Sequence, residues 1–330
     1  MYFKAKLLTS LALCSILTLL LSACDPKLNR DYVTQEQIAP IEVRSEIPEG
    51  LLDNARDFET AFFKRFKLRH APEPLQLSEK TTKNYFFPTF YGNVTTTVAM
   101  FFCSLDEASK LMPSPAMKPV SMGRGRALVM FSSYQYNRIL GIGPYREIAI
   151  SIPVLVGAEQ GAPAYPLIAA DYPGLGFYVL SMPVTSLENK IRGRKIWGLP
   201  KDVEQIDFTA DAQGYLTVAT NGAGNKYLEF YVPFVGDETR IARTYQVYTM
   251  LDGRILKSSS TSDGVFLVHR SMSALFFKNL AADREYLKLG EGEMAEKLKR
   301  LRIEKRPFQL QFSRDVSSAF DLPDPGFKSP

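Results

Sequence analysis

The chain has 330 residues, 45% of them hydrophobic and 23% charged, which supports a sizeable core and excludes a disordered polymer. Its 40 Lys and Arg against 35 Asp and Glu give a formal charge of +5, too small and too dispersed for a nucleic-acid-binding surface. The two histidines, His70 and His269, lie far apart with no Cys, Asp or Glu at ligand spacing, so no zinc site and no other metal or cofactor is expected.

Lys4 and Lys6 precede an almost unbroken apolar run, Leu7 to Leu21, too short to cross a bilayer comfortably. This pattern predicts a signal peptide over 1–23. Its end, Leu21-Ser22-Ala23-Cys24, resembles the lipobox at which lipoprotein precursors are acylated on cysteine and cleaved. The expected product is an exported lipoprotein attached to a membrane by lipid on Cys24. Asp25 resembles the signal that retains such proteins in the inner membrane, which places the body at its periplasmic face. With Cys14 removed and Cys24 lipidated, Cys103 has no partner for an internal disulfide.

Residues 24–49, polar and interrupted by Pro26, Pro40 and Pro48, read as a tether, and 50–330 as the folded domain. Leu51, Ala55, Phe58, Phe62 and Phe66 share one helical face, predicting an amphipathic helix that packs on the body, since Asp53, Asp57 and Glu59 make its first half acidic. Beyond Tyr85 strands dominate: Val94 to Phe102, Arg126 to Phe131, Phe177 to Met182, Tyr215 to Thr220 and Tyr227 to Phe234. One alternates, with Ile148, Ile150, Ile152 and Val154 on one face and Ala149, Ser151 and Pro153 on the other. Asp252-Gly253 and Asp263-Gly264 read as tight hairpin turns. Ser104-Leu105-Asp106-Glu107 is a capping box opening a short helix to Met112. A second short helix begins at Ser186, Met294, Leu298 and Leu301 mark a third, and Asp283 to Gly292 reads as a separate helical piece. The fold class is α+β, mainly antiparallel β, with a cone-shaped or barrel-like sheet and a few flanking helices.

Phosphate-loop and nucleophile-elbow motifs are absent, and Gly123-Arg124-Gly125-Arg126 lacks the third glycine of a dinucleotide site. One segment stands apart, Gly193-Arg194-Lys195-Ile196-Trp197-Gly198-Leu199-Pro200-Lys201. A lysine amine buried among Ile196, Trp197 and Leu199 is disfavoured as a cation. A neutral amine attacks a ketone, and the resulting protonated imine stabilises the carbanion equivalent left by loss of carbon dioxide or a proton. The alternative is a solvated lysine in a turn before a strand.

Together with the strand from Arg146-Glu147 into Ile148 to Pro153, this segment resembles the acetoacetate decarboxylase superfamily and its Gly-Arg-Glu-x-x-x-x-Pro-Lys hallmark. The resemblance runs from about Val94 to the final strands. It implies a β-rich cone or barrel around an apolar cavity, usually assembled as a homo-oligomer. It further implies that Lys201 forms the imine and that Glu147 positions substrate or moves a proton. Read from residues alone, Glu147 is equally a strand-edge carboxylate paired with Arg146 or water. Arg194 is expected to shape the loop. The chain departs from the family at Asp202, where decarboxylases carry a second lysine, at Lys195 in place of a glutamate, and at Ser132 and Val94 in place of a pocket glutamate and an arginine.

The expected function is a lysine-dependent lyase acting on a small or medium keto acid, decarboxylating it or performing an aldol or dehydration step. A lipoprotein that uses the cavity only to bind an apolar or carbonyl-bearing ligand is the alternative, and a purely structural envelope protein is a third.

Overall fold

The computed structural model describes residues 40–169 and 171–330. The expected signal peptide, Cys24, Asp25 and the expected tether as far as residue 39 lie outside the described residues. The expected tether ends earlier than position 49, because Arg44 is already part of the body. Its amide donates to the Thr185 carbonyl at 2.8 Å and its carbonyl accepts from Leu187 at 2.9 Å.

The principal strands are β1 (Thr89–Ser104), β2 (Arg126–Ile139), β3 (Tyr145–Val156), β4 (Leu175–Ser181), β5 (Gln205–Ala210), β6 (Gly214–Thr220), β7 (Lys226–Pro233), β8 (Asp237–Leu251), β9 (Arg254–Arg270), β10 (Leu287–Leu289) and β11 (Gln309–Phe320). Seven of them close in the order β3-β2-β1-β11-β9-β8-β4 and back to β3. All these pairings are antiparallel except β8 with β4. Strands β5, β6, β7 and β10 form a separate antiparallel sheet. Closure removes the free edges that an open sheet of this length would expose.

The second sheet covers one outer wall of the barrel. Phe101, Phe131, Ile150 and Ile152 of the barrel pack with Phe208, Tyr215 and Phe230 of the covering sheet. The alternation read along β3 is therefore realised, with isoleucines outward into this core and Glu147, Ala149 and Ser151 inward.

Five helices flank the strands among the described residues, and three of them are the helices read from the sequence: α1 (Leu105–Lys110), α2 (Leu187–Trp197) and α3 (Glu293–Arg300). Ser104 Oγ accepts the Glu107 amide, as the capping box requires. Ser186 caps α2 in the same manner through Asn189. Leu298 and Leu301 are buried, as the third helix predicts.

Three expectations are corrected. The stretch from Leu51 to Phe66 forms only two short 3₁₀ turns, Ala55–Phe58 and Phe63–Arg65, in place of a helix. Asn54 pins its start through Ile139 and Gly141, and adjacent Phe62 and Phe63 are both buried, which one helical stripe does not accommodate. Those rings do pack on the body, around Phe90 and Leu140. Asp263-Gly264 lies inside β9, where Gly264 sits at a register shift against β11 and Asp263 binds Arg240. Only Asp252-Gly253, both at positive φ, makes a hairpin turn. The expected helical piece from Asp283 to Gly292 contains β10, drawn into the covering sheet by pairing with β7.

Candidate active site

The barrel encloses a cavity of about 230 Å³ lined by residues from all seven strands and from α2 and the segment after it. Lys201 and Glu147 both face it, fifty-four positions apart in sequence and joined by a 2.5 Å contact between Nζ and Oε2. Their side chains are 6% and 5% exposed.

The lysine block places its amine there step by step. Helix α2 continues through Trp197, so Gly193 and Arg194, expected in a loop, are helical. Gly198, at φ +62°, ends the helix, with Leu199 N–H reaching back to the Gly193 carbonyl at 3.0 Å. Pro200 then makes a tight turn in which the Lys201 amide bonds the Leu199 carbonyl at 2.8 Å. The segment is fastened to the chain after β4 by Met182 to Pro200 and Val184 to Asp202 hydrogen bonds, while Val184 also bridges Glu147. One short stretch thus ties Lys201 to the carboxylate of Glu147.

Burial pushes the Lys201 amine below its usual lysine range, Glu147 pulls it back towards the cation, and the charge of Arg192 again lowers it. Tyr136 O–H donates to Glu147 Oε1 at 3.0 Å, and burial next to that carboxylate holds the phenol well above its ordinary value, so it remains a donor. Arg146 points to the opposite face, bonding Gln135 and the Ile206 carbonyl and lying over the Phe208 ring. Strand alternation therefore rules out the Arg146–Glu147 pair.

The departures from the family pattern separate by direction. Asp202 is outside the cavity, bound to Lys190 and Arg194. Arg194 also donates to the Lys201 carbonyl at 2.6 Å, so it does shape the segment. Lys195 reaches outward to the Gln76 carbonyl. Val94 and Ser132 line the cavity and are buried, so both positions belong to the pocket without carrying charge.

Sequence reasoning missed Arg192. Its guanidinium is buried beside the cavity, donates to Asn189 Oδ1 at 3.0 Å and Thr89 Oγ1 at 3.1 Å, and lies 4.2 Å from the centre of the Tyr85 ring. None of these partners is a carboxylate, and its Nε has no hydrogen bond. Nearby Glu188 is engaged by Lys83 Nζ at 2.9 Å and Tyr85 O–H at 2.5 Å. Glu147 and Lys201 compensate each other, as do Glu188 and Lys83, which leaves Arg192 as a buried positive charge suited to an anion. Carrying helical pitch from the Ser186 cap through the lysine block would have found it, because Glu188, Asn189, Arg192 and Gly193 share the buried face.

The fold resembles a structure described as acetoacetate decarboxylase from Legionella pneumophila, with a TM-score of 0.52 and 14% identity over 77% of this chain and 91% of that one. A second acetoacetate decarboxylase structure matches at a TM-score of 0.48 and 16% identity, over 72% of this chain and 87% of that one. The enduracididine biosynthesis enzyme MppR, complexed with pyruvate, matches at 0.49 and 12%, over 76% and 96%. No curated protein matches the sequence. The acetoacetate decarboxylase family model matches residues 72–312, most of the chain and the whole of the site described above, and the protein belongs to that family.

Proposed function

We propose that the protein is a Schiff-base lyase acting on a keto acid inside the barrel. The carrying observation is a lysine amine, 6% exposed and shifted towards neutrality, held 2.5 Å from a carboxylate in an otherwise largely apolar cavity.

Arg192 receives the substrate carboxylate, placing the ketone carbon near Lys201. Glu147 accepts a proton from the Lys201 ammonium, which frees the nitrogen lone pair. The amine adds to the ketone carbon, and the ketone oxygen leaves as water, giving a protonated imine. In a β-keto acid the bond to the carboxyl carbon then breaks. Carbon dioxide departs, and the electron pair neutralises the iminium as an enamine. Glu147, having given its first proton to the departing water, takes up another from solvent and passes it to the carbon, and hydrolysis releases the ketone and the lysine. Where the carboxylate stays on Arg192, the same iminium acidifies the adjacent C–H and supports an aldol or dehydration step instead.

The Lys201–Glu147 contact also favours a second reading, a ligand-binding protein in which the amine remains an ammonium. Lys201→Ala separates the two: an enzyme loses turnover of keto acids, whereas a binder retains affinity with no turnover in either form.

The body is proposed to be lipid-anchored through Cys24 at the periplasmic face of the inner membrane. The support is the Leu21-Ser22-Ala23-Cys24-Asp25 sequence. Loss of palmitate labelling in Cys24→Ala is the expected result, and undiminished labelling contradicts the assignment.

A further inference from the structure

The strand registers sort the cavity wall into layers across the barrel. From Ser151 on β3, a step of two residues beyond the paired position at each successive strand, three at the β11 register shift between Ser313 and Val316, leads to Ser132, Thr96, Val316, Ser262, Tyr245 and Phe177, then back to Ser151. Every member of this ring lines the cavity. The same stepping from Ala149 passes through Tyr134, Val94 and Ser318 and closes one layer nearer the Lys201–Glu147 pair. Glu147 and Tyr136 belong to the layer above that. One layer therefore lies between the reacting groups and the Ser151 ring, two layer spacings or roughly 8–10 Å along a barrel of tilted strands.

The Ser151 ring is polar along one side, while its Phe177, Tyr245 and Ser262 members are half-buried. Ser132, Ser151 and Thr96 are adjacent in it and buried. Thr96 Oγ1 and Ser151 Oγ have no hydrogen-bond partner. Buried hydroxyls without partners are costly, and their facing a common cavity points to a polar group delivered from within it. Acetoacetate, seated at Arg192 and Lys201, is too short to reach them.

We propose that the substrate is an extended keto acid with a second oxygen function, a hydroxyl or carbonyl, roughly seven bonds from the ketone, where carbon–carbon bonds of about 1.5 Å bring it to the Thr96–Ser132–Ser151 hydroxyls. This rests on the keto-acid reading for the head group and specifies the remainder of the molecule. Recognition of this kind discriminates sharply, because an analogue lacking the oxygen leaves the buried hydroxyls unpaired.

The test compares two β-keto acids of equal chain length, one ending in a hydroxyl at that distance and one in a methyl, by borohydride trapping and by titration calorimetry on the wild-type body. The hydroxylated compound is expected to bind about tenfold more tightly. Thr96→Val and Ser151→Ala each reduce that ratio about fivefold. Both compounds are measured on each preparation, so partial misfolding of a variant cancels from the ratio. Equal affinity for the two compounds, or a ratio unmoved by both substitutions, overturns the proposal. Calorimetric preference without any trapped adduct removes the imine reading and keeps this one; trapping of both compounds with equal affinity does the reverse.

Discussion

A methyl group placed on Gly193 would lie 2.4 Å from Lys201 Cδ and 2.7 Å from Cε. The lysine stem crosses α2 at the one position where the helix presents no side chain, and this crossing directs the amine towards Glu147. The glycine of the motif thus acts on Lys201 through packing. Gly193→Ala is expected to displace the flexible stem, lowering borohydride trapping of a keto acid at least tenfold while the thermal unfolding midpoint falls by only a few degrees. Trapping at the wild-type level contradicts this role.

Glu147 carries two opposed effects. Its charge favours the Lys201 ammonium, so Glu147→Gln lets burial and Arg192 lower the amine pKa further. The amine is neutral above its pKa, and the pH dependence of trapping in the variant therefore extends to lower pH than in the wild type. Turnover nevertheless falls, by about 10²–10⁴-fold, because the proton carrier is gone. A shift of the trapping profile to higher pH is inconsistent with this arrangement.

Arg192 lines the cavity and is proposed to bind the substrate carboxylate. Replacing it with methionine is expected to weaken binding of a keto acid relative to the methyl ketone of the same skeleton by about 10- to 100-fold, the range for charge-assisted hydrogen bonds. Arg192→Lys recovers part of that ratio. Competition binding with both compounds measures it, and an unchanged ratio removes Arg192 from substrate recognition.

Asp202 directly follows Lys201, and proximity in sequence suggests that it raises the lysine pKa. Its carboxylate instead pairs with Lys190 and Arg194 at the surface. Asp202→Asn is expected to leave the pH profile of Lys201 trapping in place and to alter stability by less than about 1 kcal/mol. A profile displaced to lower pH shows that the carboxylate does act on the amine.

Several elements of this architecture are legible without coordinates because they depend on neighbouring residues. The caps at Ser104 and Ser186, the turn at Asp252-Gly253 and the two-sided pattern of β3 are local. The joining of Glu147 to Lys201 came from the family motif, since no local rule brings positions fifty-four residues apart into contact. What escaped reading depends on tertiary partners: β10 forms where β7 offers an edge, and Asp263-Gly264 stays extended between β8 and β11. Arg192 escaped for another reason. The lysine block reads as a turn until the helix begun at Ser186 is continued through it to Trp197.

The central claim is that Lys201 forms an imine with a keto acid. Incubating the soluble body with acetoacetate, pyruvate and longer keto acids, reducing with borohydride and mapping the adduct by mass spectrometry tests it most directly. The account predicts a single modification on Lys201 that is lost in Lys201→Arg. No adduct with any of these compounds, together with a Lys201 amine that titrates like an exposed lysine, contradicts it.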